Sequence, residues 1–217
     1  MCPIELFPMG KAAHCAISAE GTLSLPQSVM DALNWQVGDE IAASYIPRPI
    51  TLLLRAAPDG HPGYKLSYLS RSPRGRRGGK LTCRAFTNHI LRRRVPLPQR
   101  QVPPALLTHS AYELALLLEP VPWITVECSM TGCQAVPADL TGVYQLLDGD
   151  QVPLKIGEGL IQARLREHLL DEPLVRLARM LQYYPLPKDD SRILEKVLLA
   201  LYEAERGSLP MFNAIRA

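Results

Sequence analysis

The chain has 217 residues, 47% of them apolar, and a formal net charge of +3, which allows one large domain or two to three small ones with packed cores. The start, MCPIELFPMGK, has an acid and two prolines where a signal peptide needs a basic and then an apolar stretch. The most apolar stretch, LALLLEPVPWITV, is broken by Glu119 and two prolines and is too short to span a bilayer. We therefore expect a cytoplasmic protein without a membrane partner.

The cysteines are odd in number and scattered along the chain. Only Cys128 and Cys133 are close together, and no second Cys or His pair follows them at the spacing of a zinc site. The pattern predicts free thiols and not a disulfide framework. The five residues are Cys2, Cys15, Cys83, Cys128 and Cys133.

Residues 1–56 are predicted to form a β-rich module. HCAISAEGTLSLP alternates around Gly21, PQSVMDALNW has helical apolar spacing, and IAASYIPRPITLLLR is an expected hairpin. With GTLSLP before the helix and GDE after it, residues 12–56 resemble the AbrB/MazE-type swapped-hairpin family, which implies a homodimer of two interlaced chains. The segment has few cations, so we carry over dimerisation and not DNA binding. The alternative is a small β-rich domain without a recognition role.

The middle region, residues 57–138, is basic and is expected to engage DNA. Between His61 and Tyr112 there are eleven Lys or Arg and no Asp or Glu, whereas residues 1–60 have three basic and six acidic residues. Such an acid-free run predicts a polyanionic partner, most economically double-stranded DNA. The alternative is a solvated loop with a chance bias. The candidate nucleic-acid-binding residues are Arg71, Arg74, Arg76, Arg77, Lys80, Arg84, Asn88, His89, Arg92, Arg93 and Arg94.

Short patterns predict the secondary structure of this region. YKLSYLS and GKLTCRAF are expected strands on either side of an Arg/Gly-rich loop, and SAYELALLLE (110–119) is an expected helix followed by the strand WITVEC. AFTNHILRRR is an expected helix that would bring Asn88 and His89 into a DNA major groove. The loop RSPRGRR suits phosphate contacts, which position a duplex without reading its sequence.

Residues 139–217 are predicted to form a small antiparallel sheet with three helices, so the whole chain is expected to be α+β. TGVYQLL and VPLKIG are strands joined by DGDQ. The helices are LIQARLREHLL, PLVRLARMLQYY and SRILEKVLLALYEAERG. The last is expected to be capped by Asp190 or Ser191 and ended by Gly207.

Several polar side chains of this region are expected to converge on one cleft. With a two-residue hairpin loop, Tyr144 lies opposite Lys155 on one face of the sheet. Arg164 and His168 share one side of the first helix, and Glu195 borders the apolar face of the third. Such a set suits phosphodiester hydrolysis, with a tyrosine as general base, an arginine neutralising transition-state charge and a glutamate holding a divalent cation. Singly, each residue is more often packing or solvated surface, so the prediction depends on their order and spacing together.

The ordered motifs GVY, KIG, GEGLIQARLREH, ILEKVLLALYE and LPMFNA make residues 139–217 resemble the GIY-YIG nucleases. The resemblance implies hydrolysis of a DNA phosphodiester with one divalent ion, Mg²⁺ or Mn²⁺, held by Glu195. The catalytic residues that it implies are Tyr144 as base, Arg164 for phosphate, His168 on the helix, Glu195 for the metal and the late Asn213.

Lys155 departs from this family, which has a tyrosine at that position. In one hypothesis Lys155 takes part in catalysis, because an ammonium near Tyr144 would favour the phenolate and hold the scissile phosphate. In the other, catalysis is lost and the domain only binds DNA. We favour the first because Arg164, His168, Glu195 and Asn213 are all present.

The sequence therefore predicts a dimeric, restriction-type DNA endonuclease with three parts: a dimerisation module (1–56), a DNA-engaging region (57–138) and a nuclease domain (139–217). The main alternative is a DNA-binding regulator or antitoxin-like protein with an inactive nuclease-like domain. A further alternative is a nuclease directed at RNA.

Overall fold

The computed structural model describes residues 14–18, 21–68, 78–82, 100–108 and 110–214. The chain divides into two compact units, Met1–Glu119 and Pro120–Ala217. Among the described residues, three antiparallel sheets, whose strands outnumber the helices, confirm the expected α+β class. In these described ranges, no helix is both long and apolar enough to cross a membrane.

The first unit consists of short antiparallel strands in two five-stranded sheets, ordered β6-β7-β2-β1-β8 and β5-β3-β4-β10-β9. Its elements are β1 (Cys15–Ile17), β2 (Thr22–Leu25), α1 (Gln27–Ala32), β3 (Glu40–Pro47), β4 (Ile50–Ala56), β5 (Tyr64–Lys65), β6 (Ser67–Tyr68), β7 (Gly79–Thr82), β8 (Arg100–Val102), β9 (Pro104–Leu106) and β10 (Leu114–Leu117).

The two sheets are joined at both ends and together form a closed barrel. β5 and β6 are one segment interrupted at Leu66, whose backbone bonds to Asp39 and Gly38 instead of continuing a ladder. β8 and β9 are one segment interrupted at Pro103, which has no N–H to donate. Closure leaves few unpaired strand edges in the described residues.

The barrel interior holds the core of the first unit. Alternate residues of each strand point inward, such as Leu23 and Leu25 of β2 and Leu114 and Leu116 of β10, all fully buried. Burying such a side chain contributes about 1.5–3 kcal/mol each. Trp35, which follows α1, packs on this core and donates a 2.7 Å hydrogen bond from Nε1 to the Glu113 carboxylate.

The structure divides the chain differently from the three parts expected from sequence. β2 pairs with β7, β1 with β8, and β4 with β10, so residues 1–56 and the following region share one barrel. In the described residues these strands pair within one chain. The expected helix in 110–119 is wrong: Leu114–Leu117 is a strand, because its apolar side chains are buried between β4 and β9.

The second unit has one four-stranded antiparallel sheet, ordered β11-β14-β12-β13, and five helices in its described residues. Its elements are β11 (Ile124–Glu127), α2 (Met130–Gln134), β12 (Thr141–Leu147), β13 (Pro153–Leu160), α3 (Ile161–Leu169), α4 (Glu172–Leu177), β14 (Met180–Pro185), α5 (Lys188–Arg206) and α6 (Met211–Ala214).

The hairpin of β12 and β13 carries the helices that surround the candidate site. α3 follows β13 directly and buries Ile161 and Leu165 in the core that includes Tyr144. α5 packs against β12 and β13 with Leu194 and Val197 fully buried. The sheet thus positions side chains from two helices beside one strand.

Two helix predictions for this unit need correction. The expected helix PLVRLARMLQYY is wrong: a short α4 is followed by strand β14, because Leu181 and Tyr183 alternate into the core as the sheet requires. α5 begins after Pro187 and not at Asp190 or Ser191; Asp189 and Asp190 lie in its first turn, where the helix dipole favours negative charge. Gly207 ends α5 in the left-handed conformation, as predicted.

Among the described cysteines, Cys15, Cys128 and Cys133 are free thiols, as the sequence predicted. Cys2 and Cys83 lie outside the described residues.

Candidate active site

A cleft of about 140 Å³ opens beside β13 in the second unit. All six catalytic residues predicted from sequence line it, together with three consecutive residues of β13. The lining residues are Tyr144, Lys155, Ile156, Gly157, Glu158, Arg164, His168, Glu195 and Asn213.

Tyr144 and His168 are joined by a short hydrogen bond inside the cleft. The phenol Oη lies 2.6 Å from Nε2 of His168, and the two side chains are only 2% and 6% exposed. Tyr144 is in the middle of β12, and His168 lies seven residues into α3, so the hairpin and the helix that follows it bring the pair together. A phenol whose proton can pass to an imidazole can itself accept a proton from a substrate.

Gly157 makes room for this tyrosine. It lies opposite Tyr144 in the ladder, and a Cβ built on it would collide with the phenol oxygen and ring. The Tyr144 ring therefore lies across β13, where it belongs to the core and its hydroxyl reaches the cleft. This is the physical requirement for glycine in KIG.

Lys155 shares a face with Tyr144, but the predicted register is wrong by two residues. Tyr144 pairs with Gly157, and Lys155 pairs with Leu146, two residues along β12 on the same face. The hairpin loop has five residues because the Asp148 carboxylate accepts hydrogen bonds from the backbone of Asp150 and Val152. A bulge at Leu146/Leu147 then preserves the facing of the strand.

The Lys155 ammonium is buried and has a defined partner. It is 8% exposed and donates a 2.9 Å hydrogen bond to the carbonyl oxygen of Phe212. Asn213, the next residue, accepts from Ile156 N–H at 2.9 Å and donates to Ile156 C=O at 2.7 Å. The Asn213 side-chain amide thus satisfies both backbone groups of Ile156 on β13, as a neighbouring strand would. These bonds hold α6 beside Lys155.

Glu195 reaches the cleft from α5 and is half-buried. Its carboxyl has a pKa raised to about 7, mainly because of burial and also because of the nearby Glu158, while Lys155, Lys196 and Arg164 oppose the rise. Near neutral pH, the protonated and ionised forms of Glu195 are therefore both populated.

Glu158 is a cleft residue that the sequence reasoning missed. Its side chain is 21% exposed, and Oε1 lies 3.9 Å from Nε of Arg192 on α5. The signal was its position directly after Gly157 on the predicted strand. Its proximity to Glu195 depends on how α5 packs on β13, which the sequence pattern does not contain.

Arg164 lies at the rim and not in the depth of the cleft. Its side chain is 47% exposed and donates a 2.9 Å bond from Nη1 to Glu167, which raises the pKa of the guanidinium. Its stem passes near Gly159, whose φ of +127° suits glycine at the junction of β13 and α3. An exposed guanidinium at a rim can neutralise an incoming anion at a small desolvation cost.

The residues of the cleft fit a divalent cation that prefers oxygen ligands. In the described part of the chain no three His, Cys, Asp or Glu side chains converge, so the protein would supply one or two carboxylates, from Glu195 and Glu158. Magnesium commonly takes one or two carboxylates and completes its shell with water and phosphate oxygens. The raised pKa of Glu195 also fits, because a cation replaces the proton that burial retains.

Of the predicted nucleic-acid-binding residues, the structure describes Lys80 alone. It lies on β7, paired with Ser24 and Ser67. The others lie outside the described residues: Arg71, Arg74, Arg76, Arg77, Arg84, Asn88, His89, Arg92, Arg93 and Arg94.

Comparisons of the chain with protein-family models, with curated proteins and with solved structures give no match.

Proposed function

We propose that this protein is a divalent-metal-dependent DNA endonuclease whose second unit hydrolyses phosphodiester bonds in the manner of the GIY-YIG nucleases. The observation that carries the proposal is the Tyr144–His168 pair, held at 2.6 Å in the same cleft as Glu195. The motif order in residues 139–217 supports the same class of reaction.

The pair supplies the general base. With Nε2 of His168 unprotonated, the imidazole accepts the phenolic proton, and the Tyr144 oxygen accepts a proton from the water that attacks phosphorus. Burial of both side chains keeps this path away from bulk water.

The cations of the cleft act on the negative charge of the phosphate. Arg164 is exposed enough to exchange Glu167 for a phosphate oxygen, and a guanidinium binds such oxygens in pairs. Lys155 is bonded to Phe212, so its ammonium acts as a fixed positive charge beside Tyr144 and Glu195.

Glu195, with Glu158 beside it, would hold the Mg²⁺ or Mn²⁺ ion. When bound, such an ion supplies Lewis-acid stabilisation of the charge that develops on the phosphate and the leaving oxygen. Asn213 holds the strand that carries Lys155 and Gly157, so its part is to position the site.

DNA is the proposed substrate because of the acid-free basic run between His61 and Tyr112. A dimer, restriction-type in its action, would bring two such clefts to one duplex. The second candidate is a DNA-binding regulator or antitoxin-like protein without catalysis. It is favoured by the bond from Lys155 to Phe212, which a purely structural lysine would also make.

The experiment is incubation of supercoiled plasmid with Mg²⁺ or Mn²⁺, comparing the wild type with Glu195→Ala. Glu205→Ala is the matched control, since Glu205 lies on the same helix with a side chain 75% exposed. We expect nicking by the wild type and the control only. Equal nicking by Glu195→Ala would identify a contaminant and overturn the proposal. Parallel RNA substrates test the RNA alternative.

A further inference from the structure

One outer face of the barrel in the first unit carries small polar residues and no acids. In the sheet β6-β7-β2-β1-β8, buried residues such as Leu23 and Leu81 point inward, so their neighbours along each strand point outward. None of these five strands contains Asp or Glu.

The outward residues form a continuous row of directly paired positions across all five strands. The pairing Gln101–Ala16–Ser24–Lys80–Ser67 runs from β8 to β6, and directly paired residues project from the same face. Thr22 and Thr82 pair in a second row. We call these two rows the polar face.

The polar face has exposed positions. Gln101 and Thr82 are exposed, and Ala16, Ser24, Lys80 and Ser67 are half-buried. On the second sheet, Thr51, Leu53 and Ala115 of β4 and β10 are at most 2% exposed, and Ser44 of β3 is half-buried. A partner can therefore reach the polar face of the first unit.

The chemistry of the polar face is that of a phosphate-binding surface. Small side chains let a partner approach the backbone closely, and hydroxyl, amide and ammonium groups are the usual donors to phosphate oxygens. The segments that precede and follow β7 in the sequence, 69–77 and 83–99, contain eight arginines and no acid. The charge of this part of the chain is therefore complementary to a polyanion.

We infer that the polar face is the surface on which the first unit binds the phosphate backbone of double-stranded DNA, with Lys80 at its centre. The inference rests on the DNA substrate proposed above, and it adds the place where the duplex binds. The three central strands, β1, β2 and β7, lie about 4.8 Å apart and present about 10 Å of this row to one side. That length of duplex presents about three phosphates on each strand.

The test measures binding of the full chain to a duplex oligonucleotide with a chelator present, so that cleavage plays no part. Lys80→Gln removes one cation, and Thr82→Glu adds an acid at an exposed site. Arg48→Gln is the matched control, because Arg48 is exposed in the β3–β4 turn, away from the polar face. Thermal unfolding of each variant checks that the barrel is intact.

We expect Lys80→Gln to lower the slope of log K against log salt by about 0.9 and the affinity at 0.1 M salt about eightfold, the effect of releasing one counterion fewer. Thr82→Glu should weaken binding as well, and Arg48→Gln should match the wild type. Wild-type binding by both Lys80→Gln and Thr82→Glu would overturn the inference. Tighter binding of duplex RNA than of duplex DNA would overturn the choice of partner.

The proposed nuclease function is tested separately. Glu195→Ala should fail to cut, and adding Lys80→Gln to it should still weaken duplex binding in the chelator assay. Cutting by Glu195→Ala at the wild-type rate would overturn the nuclease proposal and leave the binding result unchanged. Loss of the polar-face effect leaves the cleavage result unchanged.

Discussion

The phenol oxygen of Tyr144 and Nε2 of His168 lie 2.6 Å apart, with both side chains almost wholly buried. The two groups come from β12 and α3, and their contact depends on the absence of a side chain at Gly157. A short bond between two titratable groups makes them one unit, because moving the proton on either changes the other.

We expect substitutions at Tyr144 and His168 to have non-additive effects on the rate of cleavage. Tyr144→Phe keeps the ring and removes the hydroxyl, and His168→Ala removes the proton acceptor; each should lower the cleavage rate about 10²–10⁴-fold. The double variant should lose little more than either single one, because both groups serve one proton path. Single-turnover plasmid cleavage measures all three.

Tyr202→Phe is the control for the loss of a hydroxyl, since Tyr202 lies on α5 and does not line the cleft. Losses that multiply in the double variant would contradict a shared proton path.

Gly157 offers a second test of the same geometry. In Gly157→Ala the added methyl group collides with the Tyr144 phenol, so we expect lost cleavage and about 1–3 kcal/mol less free energy of unfolding. Gly149→Ala is the matched control in the same hairpin, because a Cβ there meets no atom within 4 Å. The measurements are chemical denaturation and plasmid nicking. Equal behaviour of the two variants would show that the ring does not depend on Gly157.

The sequence predicted the side chains of the cleft better than it predicted the strands that hold them. Tyr144 and Lys155 were placed on one face because a strand alternates with period two, and a shift by two residues keeps that face. The register itself depends on a bulge and on the Asp148 bonds, which a two-residue loop does not include. Local periodicity is therefore sufficient to predict which face of the sheet a side chain occupies, but not which residues of the two strands pair.

The first unit was harder to predict because its ladders join distant segments. β1 pairs with β8 and β4 pairs with β10, but the sequence pattern assigns β8 and β10 to a separate middle region. Leu114–Leu117 is an uninterrupted apolar run, which fits a buried strand or a helix equally well. Only the neighbouring strands decide between them.

Glu195 links the cleft to the pH dependence of stability. Burial raises its pKa from an ordinary 4.5 to about 7, so between these values the folded chain holds a proton that the unfolded chain has released. The free energy of unfolding contributed by this group therefore falls as pH rises from 4.5 to 7. Glu195→Gln avoids the buried charge and should be more stable than the wild type at pH 8, by about 1–3 kcal/mol.

Denaturation at pH 5, 6, 7 and 8 in chelator measures the effect, and the gain should shrink toward pH 5. Glu205→Gln is the control, with no gain at any pH, because its side chain is 75% exposed. Added Mn²⁺ at pH 8 should stabilise the wild type and not Glu195→Gln. A gain that is independent of pH would show that the Glu195 charge is not its cause.

Lys155 gives the cleft a positive charge that a tyrosine at the same position would not supply. Burial is the main reason for the raised pKa of Glu195, and the Lys155 ammonium opposes it. Lys155→Met and Lys155→Tyr both remove that charge, so this pKa should rise above about 7 in each. If cleavage needs ionised Glu195, the acidic limb of the kcat/KM profile should move to higher pH in both variants.

Lys188→Met is the control for this shift, since Lys188 is exposed at the start of α5 and does not line the cleft. A shifted limb with a reduced plateau for Lys155→Met would show that the ammonium also acts on the phosphate, because ionisation of Glu195 alone does not change the plateau. Wild-type rates and limbs in both Lys155 variants would show that this lysine has no catalytic role. Its bond to Phe212 would then be its whole contribution, through the docking of α6.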